Sequence, residues 1–323
     1  PFMLNSMSEA NRLQVNSYLN SIYEAFLDDL SAGRKISKDS LRQYADAYAI
    51  RNADDALKYK FIDAKLYKDE LITDIKKRLD IKEKDDISIV AITKYGGKKA
   101  YSKGTDEIAV LYAYGDIVDG EGDVGQIGGD KISRELRKLR QDDKVKAVVL
   151  RVNSGGGSAL ASDIIWREVE LTKKVKPVVV SMGDYAASGG YYIAAAADSI
   201  FAEKSTLTGS IGVFGLIPNA KNLLNNKLGI KFEEVKTGKY ASLMGSMDKP
   251  LTEEEKAIIQ VEVNKIYGTF MDRVAKGRNM TVAQVDSIGQ GRVWTGDQAL
   301  EIGLVDKIGN LQTAINAAAS KGK

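Results

Sequence analysis

The fold of this chain is decided by the stretch Ala147-Val148-Val149-Leu150-Arg151-Val152-Asn153-Ser154-Gly155-Gly156-Gly157-Ser158. Its first half is a short apolar run that is typical of a buried strand, and the three glycines then turn the chain. A helical pattern follows over about 158 to 174, and a second apolar run covers residues 177 to 182. Strands that alternate with helices of this length predict an α/β fold with a largely parallel sheet.

The same alternation extends to both sides of this stretch. Strands are predicted over 87 to 93 and 108 to 114, and helices near 130 to 141 and directly after residue 188. The N-terminal part is helical instead, with helices predicted over about 8 to 32, 38 to 48, 52 to 59 and 68 to 79. The C-terminal part is also helical and begins with the capping box Thr252-x-x-Glu255.

The chain contains an internal repeat. Residues 8–34 match residues 252–278 at a constant offset of 244, and with a one-residue gap the match extends over about 55 residues. The alternative is a pair of similar amphipathic helices without common origin.

The repeat divides the chain into two parts. Residues 1–104 are the C-terminal helical part of a first repeat plus a connector. Residues 105–323 are a second repeat, with an α/β domain over 105–250 and a helical tail over 251–323. We expect a counterpart of the α/β domain to precede Pro1 in the native protein.

Composition excludes several classes of function. The chain has 323 residues, of which 47 are basic and 44 are acidic, and the two signs are interspersed, which argues against a nucleic-acid partner. It has no cysteine and no histidine, so it lacks disulfides, thiolate catalysis and the usual zinc ligands, and we expect no metal and no cofactor. No apolar run reaches the roughly 18 to 20 residues that span a bilayer as a helix.

A serine nucleophile in this chain cannot use histidine as its base. Ser188 lies in the run Gly183-Asp184-Tyr185-Ala186-Ala187-Ser188-Gly189-Gly190, directly after an apolar strand. A serine hydroxyl is a weak nucleophile unless a neighbouring group takes its proton. Lysine, a carboxylate or an N-terminal amine are the bases that remain. The alternative is that Ser188 is a helix N-cap or a small packing residue.

Two other turns carry residues suited to the same chemistry. The turn through Gly155, Gly156 and Gly157 can present free N–H groups to an oxyanion, although glycines also suit a merely flexible turn. The turn from Ser205 to Gly212 carries hydroxyls that could hold an amine, or that satisfy their own backbone. Because the carboxyl ends of parallel strands meet at one edge of a sheet, the three turns predict a common site.

Together, three motifs resemble those of the bacterial signal peptide peptidase A family, serine/lysine proteases of the Clp protease and crotonase fold group. The motifs are Val152-Asn153-Ser154-x-Gly-Gly, Ala187-Ser188-Gly189-Gly190-Tyr191 and Leu207-Thr208-Gly209-Ser210-Ile211-Gly212. The resemblance covers essentially the whole chain and implies repeated ββα units with a parallel sheet.

The resemblance also implies roles for individual residues. Ser188 is the acylated nucleophile, Ser210 positions the lysine base, and the N–H groups of Gly157 and Gly189 form the oxyanion hole. Gly155 stands where relatives often have proline, so we expect a looser turn there.

The lysine is where this sequence departs from the family pattern. Half-length members carry it shortly after a Lys-Ser/Thr-Gly turn, and here Ala241 follows Lys236-Thr237-Gly238-Lys239-Tyr240 at that place. Double-length members take the lysine from the first repeat, just before a Pro-Phe pair that Pro1-Phe2 resembles. We therefore expect the general base lysine upstream of Pro1, outside this chain, and poor peptide hydrolysis by residues 1–323 alone.

The resemblance implies a membrane-associated serine endopeptidase that degrades cleaved signal peptides through an acyl-enzyme. Its substrates would be hydrophobic peptides, and it would act as a homotetramer at the bacterial inner membrane, with the catalytic domain on the periplasmic side and the anchor outside this chain.

Two alternatives stay open. One is an acyl-CoA hydratase or isomerase of the same fold group, which would use carboxylates as acid and base. The other is a non-catalytic scaffold that forms rings.

Overall fold

The computed structural model describes residues 6–90, 106–243 and 249–322. These residues cluster into two units, and the smaller one comprises the described part of Ile22–Thr105. Across the described ranges, no helix combines the length and the apolar character needed to cross a membrane. The domain boundary at 104/105 stays a prediction.

The smaller unit is helical. It contains the end of α1 (Glu9–Arg34), followed by α2 (Lys38–Asp46), α3 (Ala53–Lys58) and α4 (Lys68–Arg78). Ser37 and Asn52 cap α2 and α3 through their side chains, which satisfies backbone N–H groups at the start of each helix. The core of the unit is the buried cluster Leu27, Ile36 and Leu41. The strand predicted over 87–93 is not formed at residues 87–90, and the rest of it lies outside the described residues.

The larger unit is built on a seven-stranded sheet and a separate two-stranded pair. In chain order the strands are β1 (Glu107–Tyr114), β2 (Asp116–Val118), β3 (Gln126–Gly128), β4 (Val145–Ser154), β5 (Val178–Ala187), β6 (Ser199–Ala202), β7 (Leu207–Gly209), β8 (Val293–Thr295) and β9 (Lys307–Ile308). The main sheet has the order β1-β4-β5-β6-β9, with β7 beside the end of β5 and β8 beside β7. All neighbours are parallel except β7 and β8, which confirms the predicted parallel α/β architecture.

The described part of the larger unit also contains a short π-helix, Asn222–Lys227, and seven α-helices: α5 (Gly129–Gln141), α6 (Ala159–Lys173), α7 (Gly189–Ala194), α8 (Glu253–Arg278), α9 (Val282–Ile288), α10 (Gly296–Glu301) and α11 (Leu311–Lys321). Alternation along β4 divides its side chains between two cores. Val148, Leu150 and Val152 face the large core to which α5 to α8 contribute, whereas Ala147 and Val149 face α11. Burial on both faces explains why the β4 sequence is a continuous apolar run.

The internal repeat found in the sequence is also present in the structure. α1 and α8 are both 26 residues long, and α4 and α11 are both 11 residues long. In both copies of the repeat, an arginine at the end of the 26-residue helix makes the same contacts. Arg34 binds the Asp63 carboxylate and donates to the Lys60 carbonyl, and Arg278 binds Asp306 and donates to the Gly303 carbonyl.

The contacts of Arg34 and those of Arg278 should differ in their contribution to stability. The Arg278 side chain is 8% exposed and that of Arg34 is 26% exposed, while its partner Asp63 is 89% exposed. We expect Arg278→Met to lower the free energy of unfolding by about 3 kcal/mol, because the Asp306 carboxylate loses its charged partner and the Gly303 carbonyl loses its donor. Arg34→Met should cost less, because water can replace the lost contacts. Urea denaturation measures both, and equal losses would contradict this assignment.

Candidate active site

Ser188 lies at the sharp turn between β5 and α7. Its backbone has φ 51° and ψ −120°, a combination that is rare for a residue other than glycine. Its N–H donates to the Gly209 carbonyl at 2.9 Å, which holds the turn against the end of β7. Ser188 occupies the N-cap position of α7 but makes no capping bond, and among the described residues its hydroxyl has no hydrogen-bond partner. The half-buried hydroxyl is therefore free to act on a bound molecule.

The glycine turn after β4 presents one N–H group in a defined direction. Ile117 on β2 donates its N–H to the Gly156 carbonyl at 2.9 Å, and the Ser158 N–H donates to the Ile117 carbonyl at 2.8 Å. The Gly156 carbonyl and the Gly157 N–H belong to one planar trans peptide unit and point in opposite directions. The Gly157 N–H therefore faces away from β2, and it has no acceptor among the described residues.

The glycine turn and the Ser188 turn touch through their backbones. A Cβ atom on Gly156 would lie 2.8 Å from both the Gly189 nitrogen and the Ser188 Cβ, and a Cβ on Gly190 would lie 2.6 Å from the Ser154 carbonyl oxygen. Only glycine permits these approaches. The Gly189 N–H is the first of α7, where helical N–H groups have no partner within the helix, and it has no other acceptor among the described residues. Two N–H groups without an acceptor among the described residues thus belong to the two turns that meet at Ser188.

The third predicted residue, Ser210, follows β7. It also has a positive φ of 48°, and its N–H donates to the Arg292 carbonyl at 2.7 Å. Among the described residues its hydroxyl, like that of Ser188, has no hydrogen-bond partner.

The structure brings all four predicted residues to one cavity. This cavity has a volume of about 550 Å³, and Gly157, Ser188, Gly189 and Ser210 all line it. Its apolar wall is formed by Tyr192, Val213, Phe214, Ile266 and Phe270. A second cavity of about 460 Å³ shares Ser188 and Ser210 and is lined on its far side by Gln260, Val263, Asn264, Tyr267, Gln290 and Gly291.

Sequence reasoning missed the contribution of α8 to these walls. One face of α8 lines both cavities, with Gln260 and Asn264 toward one and Ile266 and Phe270 toward the other. The sequence showed this helix only as a copy of α1. The spacing of Gln260, Asn264 and Tyr267 on one helical face was the available signal, but it does not reveal what the face contacts.

Neither cavity is lined by a lysine from the described part of the chain. Lys239 instead binds Glu254 on the surface, and this hydrogen bond, with a smaller contribution from Tyr240, raises the pKa of its amine above the usual value. Lys236 pairs with Glu234 at 3.0 Å, and Ala241 lies in an exposed turn. Pro1-Phe2 lie outside the described residues.

Within the described ranges, no group of three or more acidic side chains could hold a metal ion. The site therefore combines a free hydroxyl, two free N–H groups and a second hydroxyl. This arrangement suits nucleophilic attack on a carbonyl and stabilisation of the resulting oxyanion.

Comparison with known families gives two matches. The model of peptidase family S49 matches residues 2–82 and 170–323, and that of Clp protease matches residues 104–206. The second match agrees with the predicted fold group for the stretch that carries the glycine turn and Ser188. Among solved structures, a ClpP1 mutant from Listeria monocytogenes is similar with a TM-score of 0.43 and 15% identity, over 64% of this chain and 94% of that chain.

The relatives that are similar over nearly the whole chain include two proteases. The chloroplastic serine protease SPPA of Arabidopsis thaliana is 38% identical over 98% of this chain and 48% of its own length. Protease 4 of Haemophilus influenzae is 37% identical over 98% of this chain and 53% of its own length. The chain thus spans about half the length of these curated relatives.

The ion pair of Lys239 with Glu254 predicts the protonation state of the Lys239 amine. A folded-state pKa above the ordinary value of 10.5 means that the ion pair stabilises the fold below that pH and is lost as pH rises through the folded pKa. At neutral pH Lys239 should therefore be fully charged. We expect NMR titration of the lysine side chains to give Lys239 a pKa above 10.5, and Glu254→Gln to lower it. A Lys239 pKa near 7 would contradict the pairing.

Proposed function

The chain belongs to peptidase family S49, and on that premise we propose that it supplies the nucleophile and the oxyanion hole of a serine endopeptidase. The observation that carries the proposal is the free hydroxyl of Ser188 on a strained turn, beside the unpaired N–H groups of Gly157 and Gly189. A strained backbone at a residue whose side chain makes no local hydrogen bond is typical of functional sites.

The proposed reaction is a two-step acyl transfer. A neutral amine takes the Ser188 proton, and the serine oxygen attacks the peptide carbonyl to give a tetrahedral oxyanion. The Gly157 and Gly189 N–H groups donate to that oxyanion, each lowering the barrier by roughly 3 to 4 kcal/mol. The intermediate then expels the peptide amine, which receives the proton, and water hydrolyses the acyl-enzyme.

The base is proposed to be a lysine that precedes α1 in the native protein. The course of α1 supports this position. The Gln14 side chain donates to the Val293 carbonyl at 2.8 Å and accepts from the Val293 N–H at 3.3 Å, so the first half of α1 lies along β8. A cavity of about 710 Å³ between them shares Gln290 and Gly291 with the second cavity at Ser188. The described start of α1 thus borders a cavity that adjoins the second cavity at Ser188, which supports a base that precedes this helix.

A lysine in this position must be neutral to act. Its ordinary pKa of roughly 10.4 has to fall by about three units, a cost of about 4 kcal/mol that burial in an apolar environment can supply. The apolar wall of Tyr192, Val213, Phe214, Ile266 and Phe270 provides that environment. The Ser210 hydroxyl, which has no other partner among the described residues, would hold the amine toward Ser188.

The same apolar wall supports hydrophobic peptides as substrates. The family resemblance implies the remaining points of the proposal. The endopeptidase would degrade cleaved signal peptides as a homotetramer, at the bacterial inner membrane and on its periplasmic side.

Serine labelling tests the proposed nucleophile. We expect a fluorophosphonate to label Ser188 in the full-length native protein, and Ser188→Ala to abolish both labelling and peptide hydrolysis. Residues 1–323 alone should hydrolyse peptides at least about 100-fold more slowly, since a general base contributes roughly 10²- to 10⁴-fold. Mass spectrometry of the labelled peptide and a fluorogenic peptide assay measure both effects.

Two outcomes would overturn this proposal. Efficient hydrolysis by residues 1–323 that Lys239→Ala abolishes would place the base within the chain. Turnover of an acyl-CoA without serine labelling would instead favour the hydratase or isomerase alternative.

Replacing Ser210 tests the positioning of the base. Ser210→Ala should lower kcat of the full-length protein by about 10- to 100-fold with little change in KM, because the amine loses a partner but the substrate does not. Ser205→Ala, in the same hydroxyl-rich turn, is the matched control and should leave kcat unchanged. A Ser210→Ala variant with normal kcat would remove Ser210 from the mechanism.

A further inference from the structure

β5 contains a bulge just before Ser188. Along the β4–β5 ladder Val152 pairs with Met182, but the next pair is Ser154 with Ala186. β4 thus advances by two residues while β5 advances by four. The two additional residues let β5 change neighbours, since its first part pairs with β6 and its last part with β7. The direction in which β5 delivers Ser188 therefore depends on the shape of the bulge.

The side chain of Asn153 fills this bulge. Its Oδ1 accepts a hydrogen bond from the Tyr185 N–H at 3.0 Å, across the break in the ladder. Gly183 packs directly on the carboxamide, because a Cβ atom at Gly183 would lie 2.8 Å from the Asn153 Cγ. An amide oxygen thus replaces the β4 carbonyl that a regular ladder would offer to this N–H group.

Two threonines satisfy carbonyl groups on the same segment. The Thr206 hydroxyl donates to the Gly183 carbonyl, and the Thr208 hydroxyl donates to the Ala186 carbonyl, both at 2.7 Å. Both threonines are buried. The threonines act from the β7 side of the bulge and Asn153 acts from the β4 side, so the backbone leading to Ser188 is held from both sides.

Asn153 also begins the turn that presents the oxyanion donor. It lies four residues before Gly157 on the same backbone, and Tyr185 lies three residues before Ser188. We propose that Asn153 is a positioning residue whose carboxamide sets the Gly157 N–H and the Ser188 hydroxyl in register with one another. This inference rests on the proposed function of Ser188 and Gly157.

If Asn153 positions the reacting groups, its replacement should affect the reaction at Ser188 more than the stability of the fold. Tyr185 is 52% exposed, so water can reach this part of the chain and replace a lost acceptor with little change in folding. Attack on an acyl or phosphonyl centre is more demanding, because a misplacement of about 1 Å can reduce the rate by about 100-fold. The reaction rate should therefore respond to Asn153 more strongly than the unfolding transition does.

The test measures labelling of Ser188 by a fluorophosphonate in the full-length protein, together with the midpoint of thermal unfolding. We expect Asn153→Leu, which keeps the size but removes the acceptor, to lower the maximal rate constant of labelling at least tenfold. The reagent concentration at half-maximal rate should change little. Asn153→Asp retains an acceptor oxygen and should label within about threefold of the unsubstituted protein.

Two further variants keep the test decisive. Asn153→Ser removes the carboxamide, admits water and should give the same slow labelling if Asn153→Leu does not fold. Asp198→Leu is the matched control, because Asp198 accepts from the Val178 N–H at 2.8 Å at the opposite end of β5. It should lower the unfolding midpoint and leave the labelling rate of the folded protein unchanged.

The outcomes separate this inference from the function on which it rests. Normal labelling of folded Asn153→Leu or Asn153→Ser would overturn the role of Asn153 and leave the nucleophile in place. Slow labelling of Asp198→Leu to the same degree would also overturn it, since any loss of stability would then suffice. Absence of labelling in the unsubstituted protein would overturn the proposed function itself, and this inference with it.

Discussion

The candidate site depends on one close approach between two backbones. Gly156 lies so near to Ser188 and Gly189 that a single Cβ atom would collide with both. This approach places the Gly157 N–H, the Gly189 N–H and the Ser188 hydroxyl around one cavity. Any side chain at Gly156 would separate the two turns and with them the groups that must act on the same carbonyl.

The surrounding fold maintains this approach from several directions. β2 holds the Gly156–Gly157 peptide in one orientation through Ile117, and β7 holds Ser188 through the Gly209 carbonyl. The bulge in β5 allows one strand to contact β6 first and β7 later. Such contacts maintain the backbone strain at Ser188, and the Arg292 carbonyl maintains it at Ser210, because neither residue would adopt a positive φ in isolation.

Much of this arrangement could be predicted from the sequence. The run from Ala147 to Ser158 predicted a buried strand followed by a turn, and the strand extends from Val145 to Ser154. The turns that carry Gly157, Ser188 and Ser210 were predicted to meet at one sheet edge, and they line one cavity. The roles of these residues and of Gly189 come from the family resemblance and stay predictions. The strand predicted over 87–93 is not formed at its described residues 87–90, since an apolar run alone does not provide a neighbouring strand to pair with.

By itself, the sequence determined the alternation of strands and helices, the repeat at an offset of 244 and the absence of histidine and cysteine. These are properties of local pattern and composition. Only the tertiary structure decided that α8 lines the cavities, that Asn153 fills the β5 bulge and that Lys239 pairs with Glu254 on the surface. Each of these depends on the packing of residues far apart in the chain, and no local pattern encodes which distant surface a helix face or side chain will meet.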